Sequence, residues 1–160
     1  SIIDQAMSIR PCTAYVNRAK AKRDTSPGTS CPSAIGHALK DLLNKIKGSE
    51  YKLILAHPER YGMIHSNFNL LYELKDLGVL MQCNYGSILG IYGSKPKSVM
   101  KKMLKEDLVD FLGTDVHKPD TIYPKLPKAL KKISKFIDED RLDDLTHTNA
   151  AMLLAGEDVR

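Results

Sequence analysis

The amino-acid sequence predicts an α/β protein built around parallel strands, and three observations support this prediction. Three short apolar segments have the length and branched side chains of strands buried on both faces; they are Lys52–Ala56, Val79–Cys83 and Leu108–Leu112. Apolar residues at helical spacing fill the segments between them, and glycine or proline marks several boundaries. Because strands and helices alternate, we expect parallel βα units, arranged either as an open sheet or as part of a barrel.

The helices are expected from the spacing of apolar residues. They cover approximately residues 34–46, 66–77, 96–104, 126–137 and 150–155. Ser66 is the candidate N-cap of the second helix and Gly78 its stop, while Pro96 lies near the start of the third. Three glycines between residues 86 and 93 predict a flexible, close-packing loop before that third helix.

Length and composition place the chain among ordinary globular proteins. It has 160 residues, of which 42% are hydrophobic and 27% charged, which suits one domain with a sizeable core. No apolar run approaches the roughly 20 residues of a membrane-spanning helix, and the first residues lack the order of a secretory signal. The three cysteines are widely spaced and favour neither a disulfide framework nor a zinc knuckle. We therefore expect a cytoplasmic protein without membrane insertion.

Basic charge and breaker residues set the first part of the chain apart. The formal net charge is +5, and residues 1–50 hold twice as many Lys/Arg as Asp/Glu. The cluster Arg18–Arg23 could form a nucleic-acid patch, but no aromatic-rich module accompanies it, so we expect a solvated face and no nucleic-acid partner. Prolines and glycines interrupt any period up to residue 36. The chain therefore divides into a poorly ordered or unrelated leader, residues 1–36, and a domain over residues 37–160.

Polar residues follow each predicted strand. The first strand ends in His57-Pro-Glu-Arg60, the second in Asn84-Tyr-Gly-Ser87 and the third in Gly113-Thr-Asp-Val-His117. In parallel α/β folds, functional groups collect at the carboxyl ends of strands, because the loops there vary while the sheet holds them. These three turns are the candidate functional site.

Asp115 and His117 form the clearest constellation in these turns. In extended backbone, side chains at i and i+2 leave the same face, so a carboxylate and an imidazole would point together above the sheet. His57, at the end of the neighbouring strand, could join them in a mixed nitrogen and oxygen set suited to zinc, manganese or iron. The alternative is that Asp115 caps the next helix and that both histidines are polar loop residues.

Arg60 lies three residues after His57 and could share its pocket. A guanidinium there would bind a phosphate or carboxylate through paired hydrogen bonds. The alternative is a salt bridge to Glu59 or to another acid, and Glu59 itself is expected to be structural.

A rival phosphatase signal occurs at Cys12, six residues before Arg18. Cys-x5-Arg is the spacing of thiol phosphatases, in which a thiolate attacks phosphorus. The phosphate loop of such an enzyme needs small residues at unusual backbone angles, whereas Tyr15 and Val16 are bulky. We interpret this signal as a coincidence of spacing.

Together, four stretches of the sequence resemble the polymerase and histidinol phosphatase (PHP) superfamily. Within it, the chain is most similar to the metal-dependent protein-tyrosine phosphatases encoded with bacterial capsule and exopolysaccharide genes. The stretches are Ile54-Leu-Ala-His-Pro-Glu-Arg-Tyr61, Leu70-Leu-Tyr-Glu-Leu74, Gln82-Cys-Asn-Tyr-Gly-Ser-Ile-Leu-Gly90 and Gly113-Thr-Asp-Val-His117. Their order and separation match that family across about residues 38–156, where Asn149–Leu154 resembles its closing pattern.

This resemblance implies the carboxyl-terminal part of a distorted (β/α)7 barrel with a metal cluster at the carboxyl ends of its parallel strands. It implies that His57, Asp115 and His117 are metal ligands and that Arg60 binds the substrate phosphate. The cofactor would be a divalent metal, manganese first, with iron and zinc as alternatives. The implied reaction is hydrolysis of phosphotyrosine on a protein by metal-activated water, without a covalent enzyme intermediate. The protein substrate would be an autophosphorylated bacterial tyrosine kinase that controls polysaccharide export.

The sequence departs from that family in its first half. The family opens with a His-x-His strand, whereas this chain has no His-x-His, and its first fifty residues contain a single histidine, His37. The chain therefore resembles the second half of the domain, and a half barrel would favour assembly with another chain, for example as a homo-oligomer. The alternative to a phosphatase is a noncatalytic truncated remnant or interaction domain, and a third interpretation is a PHP phosphatase acting on small phosphate esters.

Overall fold

A parallel sheet of four strands organises the part of the chain that the structure describes. This computed structural model describes residues 52–115 and 122–159, and the backbone of residues 13–16. The strands are β1 Thr13–Val16, β2 Lys52–Ala56, β3 Leu80–Asn84 and β4 Phe111–Gly113. They lie side by side in that order, and all three pairings are parallel.

The register of the sheet decides which turns meet. Ala56 of β2 lies opposite Gln82 of β3, and Gln82 lies opposite Phe111 of β4. Because parallel strands point the same way, the carboxyl ends of β2, β3 and β4 share one edge of the sheet. The three polar turns of the sequence therefore follow that edge.

Helices connect the strands and cover the sheet. The α-helices among the described residues are α1 Gly62–Ser66, α2 Leu70–Asp76, α3 Tyr85–Leu89, α4 Ser94–Lys105, α5 Leu126–Ile133, α6 Glu139–Asp143 and α7 Asn149–Ala155. The other helical segments are two 3-10 turns, Pro58–Arg60 and Tyr123–Lys125, and one π-helical segment, Asp144–Thr148. In the described part of the chain, α1 and α2 connect β2 to β3, and α3 and α4 connect β3 to β4.

The apolar faces of the helices and the sheet form one main core. In α4, Met100 and Met103 are fully buried, while its lysines are exposed or half-buried, which is the amphipathic pattern of a helix packed on one face. Ile133 of α5 is buried in the same cluster. Phe111 packs with Ala150 of α7 in a second, smaller cluster.

The parallel sheet with intervening helices confirms the predicted α/β class but corrects several elements, and β3 is shifted by one residue from the predicted Val79–Cys83. The second predicted helix is wrong at its start: Ser66 ends α1, where its hydroxyl donates to the Gly62 carbonyl at 3.2 Å, and α2 begins at Leu70. The glycine-rich segment after β3 is not a loop throughout. It forms α3, which ends at Gly90, whose φ of 84° is readily adopted by glycine.

The last strand is shorter than predicted. β4 begins at Phe111 rather than Leu108. The carboxylate of Asp110 explains the difference, because its Oδ2 accepts the backbone N–H of Met81 in β3 at 2.7 Å. A side-chain oxygen thus takes the place of a strand carbonyl before β4 begins.

Several expectations lie outside the described residues. They concern the helix over residues 34–46, the cluster Arg18–Arg23, the pair Cys12 and Arg18, and His117. β1 falls within residues 1–36, but the domain boundary after residue 36 stays a prediction, as does the seven-unit barrel. In the described ranges, no helix combines the length and the apolar character needed to cross a bilayer.

Candidate functional site

The turns after β2 and β4 place His57 and Asp115 at the carboxyl edge of the sheet. Both residues have a positive φ, 39° for His57 and 50° for Asp115, which is uncommon for residues other than glycine. The backbone N–H of His57 donates to the Gln82 carbonyl of β3 at 2.6 Å, which fastens this turn to the neighbouring strand. Left-handed conformations that the surrounding structure holds in place are common at functional sites.

Asp115 is the centre of a small polar cluster. Its Oδ2 accepts a hydrogen bond from Arg60 Nη1 at 3.0 Å and another from Asn84 Nδ2 at 3.1 Å. Arg60 follows β2, Asn84 ends β3 and Asp115 follows β4, so three neighbouring strand ends each contribute one side chain. The side chains of Arg60 and Asp115 keep 33% and 21% of their surface exposed, so a solute can reach this ion pair.

Tyr92 covers the other side of the arginine. The guanidinium carbon of Arg60 lies 4.2 Å from the centroid of the Tyr92 ring, a cation–π arrangement. Burial raises the pKa of Tyr92, the charge of Asp115 raises it further and Arg60 opposes both, so the ring remains a neutral phenol. Gly86 allows this packing, because a Cβ at that position would lie 2.8 Å from Cε2 of Tyr92. Arg60 is therefore held between an aromatic ring and a carboxylate.

Glu59 connects the turn after β2 to the start of α3. Its side chain is fully buried, and its Oε1 accepts the backbone N–H of Asn84 at 3.0 Å and the Ser87 hydroxyl at 2.6 Å. Burial raises the pKa of Glu59, and these two hydrogen bonds partly offset the effect. A carboxylate at a helix start also suits the helix dipole. These contacts agree with the structural role expected for Glu59, and they fix the turn that carries Arg60.

The donor atoms of His57 and Asp115 suit a divalent cation. Imidazole nitrogen and carboxylate oxygen are ligands of zinc, manganese and iron. Cys83 offers no thiolate, because it is fully buried and burial raises the pKa of its thiol well above the usual value. Among the described residues, no three His, Cys, Asp or Glu side chains form a metal-binding group. The described residues thus supply two donors of suitable chemistry, while His117 lies outside them.

The structure brings together some of the predicted residues and corrects one premise. Arg60 and Asp115 are in contact, so the salt bridge considered as an alternative for Arg60 is present, with Asp115 rather than Glu59. The extended backbone assumed for Asp115 is wrong, because β4 ends at Gly113 and Asp115 has a left-handed φ. The assignment of His57, Asp115 and His117 as metal ligands and of Arg60 as the phosphate-binding residue stays a prediction.

Two residues of the cluster are not among the sequence-predicted site residues. Asn84 follows the second predicted strand, and its segment was therefore among the polar turns expected at the carboxyl ends of the strands. The hydrogen bond between its amide and Asp115 is visible only in the structure. Tyr92 carries no such signal, because it lies in the connection between α3 and α4, 32 positions after Arg60 in sequence.

Comparison with known proteins identifies relatives across most of the chain. A family model described as capsular polysaccharide synthesis, CpsB/CapC, matches residues 31–155. The chain is 31% identical over 115 residues to the tyrosine-protein phosphatase YwqE of Bacillus subtilis, covering 72% of this chain and 44% of YwqE. It is 30% identical over 106 residues to the tyrosine-protein phosphatase CpsB of Streptococcus agalactiae, covering 63% of this chain and 44% of CpsB.

The fold agrees with these sequence relationships. It matches, with a TM-score of 0.69 and 28% identity, a chain from the crystal structures of YwqE from Bacillus subtilis and CpsB from Streptococcus pneumoniae, which are described as unique metal-dependent tyrosine phosphatases. The match covers 76% of this chain and 49% of that chain, so this chain spans about half the length of the relatives it matches. The resemblance found in the sequence motifs is confirmed, and the chain belongs to the CpsB/CapC family of capsular polysaccharide synthesis proteins.

Proposed function

We propose that this chain carries part of the site of a metal-dependent phosphotyrosine phosphatase, at the carboxyl edge of its sheet. His57, Asp115 and His117 would hold a divalent cation, manganese first, and Arg60 would bind the substrate phosphate. The rest of the (β/α)7 barrel implied by the sequence resemblance would supply further ligands.

The contact between Arg60 and Asp115 supports this proposal best. It places an anion-binding guanidinium beside a candidate metal ligand, 3.0 Å away. Within the guanidinium group of Arg60, only Nη1 donates a hydrogen bond to an oxygen atom of the described residues. The other guanidinium N–H groups can therefore bind phosphate oxygens in the paired geometry that arginine favours.

A bound divalent cation supplies an activated water and neutralises charge on the phosphate oxygens. The residues of this chain would bind the phosphate and orient the side chains around it. Arg60 grips the phosphate while the Tyr92 ring restricts where the guanidinium can move. Asn84 fixes the orientation of the Asp115 carboxylate through its amide. Because the hydrogen bonds of Glu59 fix the turn after β2, Arg60 keeps its position relative to Asp115 before the substrate binds.

The names of the relatives support a substrate class. YwqE and CpsB are named tyrosine-protein phosphatases, and the family description concerns capsular polysaccharide synthesis. We therefore propose phosphotyrosine on a protein as the substrate, and a bacterial tyrosine kinase of polysaccharide export as that protein.

Hydrolysis of a phosphotyrosine peptide by the purified chain with manganese tests this function. We expect weak activity that a chelator removes, and a loss of about 30- to 150-fold in kcat/KM in Arg60→Gln, since a charge-assisted paired contact contributes about 2–3 kcal/mol. Cys12→Ser is the control and should leave activity unchanged. Activity that survives the chelator and is lost in Cys12→Ser would support the thiol mechanism instead. A folded chain that neither binds manganese nor hydrolyses the peptide would support the noncatalytic alternative.

A further inference from the structure

Two helices that share the main core, α4 and α5, present a surface of lysines. On α4, Lys97 and Lys101 are one helical turn apart. Lys128 and Lys132 have the same spacing on α5, and Lys135 lies two residues after the end of that helix. We call these five residues the lysine surface. In the described part of the chain, none of the five forms an ion pair with an acid.

α4 and α5 bury residues in the same core cluster, and Lys132 lies close enough to the other four lysines for their charges to act on it. The pKa of Lys132 is lowered, first by partial desolvation and then by the charges of Lys97, Lys128, Lys101 and Lys135. All the charges that lower it are lysines, and two of them belong to the other helix. A concentration of like charge is unfavourable for folding, so an anionic ligand would relieve the repulsion.

The lysine surface adjoins the candidate site. A Cβ placed on Gly90 would lie 3.4 Å from Cδ of Lys97, so this side chain runs along the segment that leads to Tyr92. Tyr92 in turn stacks on Arg60. α4 also packs against the 3-10 turn that carries Arg60. An extended ligand anchored at Arg60 can therefore reach Lys97 within a few residues, because an extended chain advances roughly 3.3 Å per residue.

We propose that the lysine surface binds an acidic peptide segment that flanks the target phosphotyrosine, and so selects protein substrates whose tyrosine lies among Asp and Glu residues. This inference rests on the proposed function of the site. Lysine ammonium groups are compact charges that pair with carboxylates without a fixed geometry. They therefore suit a flexible acidic peptide rather than one rigid partner.

The chemistry of the two helices favours a peptide over a lipid surface. Membrane-surface helices insert an apolar face beneath their charges. Here that face is already used, because Met100, Met103, Ala129 and Ile133 are buried in the core. None of the large exposed apolar residues of the described part lies on α4 or α5; they are Leu77, Ile91, Tyr123 and Leu154.

Fluorescence anisotropy with two labelled phosphotyrosine peptides tests the inference. One peptide carries Asp and Glu around the phosphotyrosine, and the other carries Asn and Gln at the same positions. We expect the acidic peptide to bind roughly 5-fold more tightly at low salt, and the difference to vanish at about 0.5 M salt, where charges are screened within ~4 Å. Lys132→Gln and Lys101→Gln should each weaken the acidic peptide about 2- to 4-fold and leave the neutral peptide unchanged.

Lys131→Gln is the matched control, because Lys131 is an exposed lysine of α5 outside the lysine surface. It should bind both peptides as the unsubstituted chain does. Equal binding of the two peptides, or an equal loss in Lys131→Gln and Lys132→Gln, overturns the proposal. The proposal is also overturned if Lys132→Gln weakens binding of phosphatidylserine vesicles or of a DNA duplex but leaves peptide binding unaffected. A separate assay tests the proposed function, with the small ester p-nitrophenyl phosphate, which has no flanking peptide. If the chain does not hydrolyse this ester in the presence of manganese, the proposed function is wrong.

Discussion

Replacing Lys75 with methionine would remove the cation that contacts Asp110. Asp110 lies immediately before β4 and forms hydrogen bonds with the neighbouring elements. The Nζ of Lys75 lies 2.7 Å from Oδ1 of Asp110, and Oδ2 accepts the Met81 N–H. The Asp110 carbonyl also accepts the side-chain amide of Asn149 at 2.9 Å. Asp110 thus connects α2, β3 and α7 at the point where β4 begins.

The size of the effect follows from the burial of the two partners. The Asp110 side chain is only 3% exposed, whereas that of Lys75 is 27% exposed. Fully exposed pairs contribute about 0–1 kcal/mol, and breaking a buried pair costs about 3–5 kcal/mol. We therefore expect Lys75→Met to lower the free energy of unfolding by about 2 kcal/mol at pH 7. For a chain of this length that corresponds to a fall in Tm of about 4–8 °C.

The loss should depend on pH in a defined direction. Burial raises the pKa of Asp110 above 3.8, and Lys75 opposes that rise. Because the pKa of Asp110 is raised in the folded protein, the protonated carboxyl group favours folding. This contribution to stability is complete at pH values below the pKa of Asp110 in the unfolded chain, and it is lost as the pH rises through the pKa in the folded protein. Removing Lys75 raises the folded pKa further, so the variant loses more stability at neutral pH. The difference between the two proteins should shrink as pH falls and Asp110 becomes neutral.

Thermal unfolding followed by circular dichroism at pH 7 and at pH 4 measures this difference. Lys95→Met is the matched control, because Lys95 is exposed and has no ion pair among the described residues. A loss in Lys75→Met that is the same at both pH values, or no larger than that of Lys95→Met, would refute the reasoning.

Two further predictions concern the candidate site. Glu59→Gln should destabilise the protein less than Glu59→Ala, because glutamine keeps Oε1, which accepts both hydrogen bonds. Glu59→Ala should cost about 2–3 kcal/mol in urea unfolding; equal losses would contradict this role. Tyr92→Leu should weaken phosphotyrosine-peptide binding about 5-fold through loss of roughly 1 kcal/mol of cation–π contact, and Tyr92→Phe should not. Gly86→Ala should act like Tyr92→Leu because it displaces the Tyr92 ring; peptide binding unaffected by both changes would show that Tyr92 does not hold Arg60.

The sequence predicted elements where one physical signal dominates. The apolar segment Lys52–Ala56 is a strand with the predicted bounds, because a strand buried between neighbours needs apolar side chains throughout. Leu108 and Val109 are equally apolar and buried, yet they precede β4 rather than form it. A local pattern cannot reveal that the Asp110 side chain bonds to β3 at that point.

The candidate site was predictable to the extent that strand ends meet at one edge. That rule placed the turns that carry Arg60 and Asp115 at the same edge of the sheet, and the structure shows the two side chains in contact across 55 positions of sequence. It gave no indication of Tyr92, because the stacking on Arg60 depends on how the segment between α3 and α4 folds back over the edge. The left-handed backbone of Asp115 was likewise missed, since aspartate adopts both conformations and its own sequence context selects neither.

Binding of manganese to the chain tests the central claim, that the strand-end cluster is a metal and phosphate site, most directly. The free Mn²⁺ signal in electron paramagnetic resonance would be titrated for the unsubstituted chain, Asp115→Asn and Asp107→Asn. Asp107 is the matched control, because it is an exposed aspartate that also has a positive φ. We predict that the unsubstituted chain and Asp107→Asn bind equally and that Asp115→Asn binds at least ~10-fold more weakly. Equal binding by all three proteins, or binding by none, would contradict the claim.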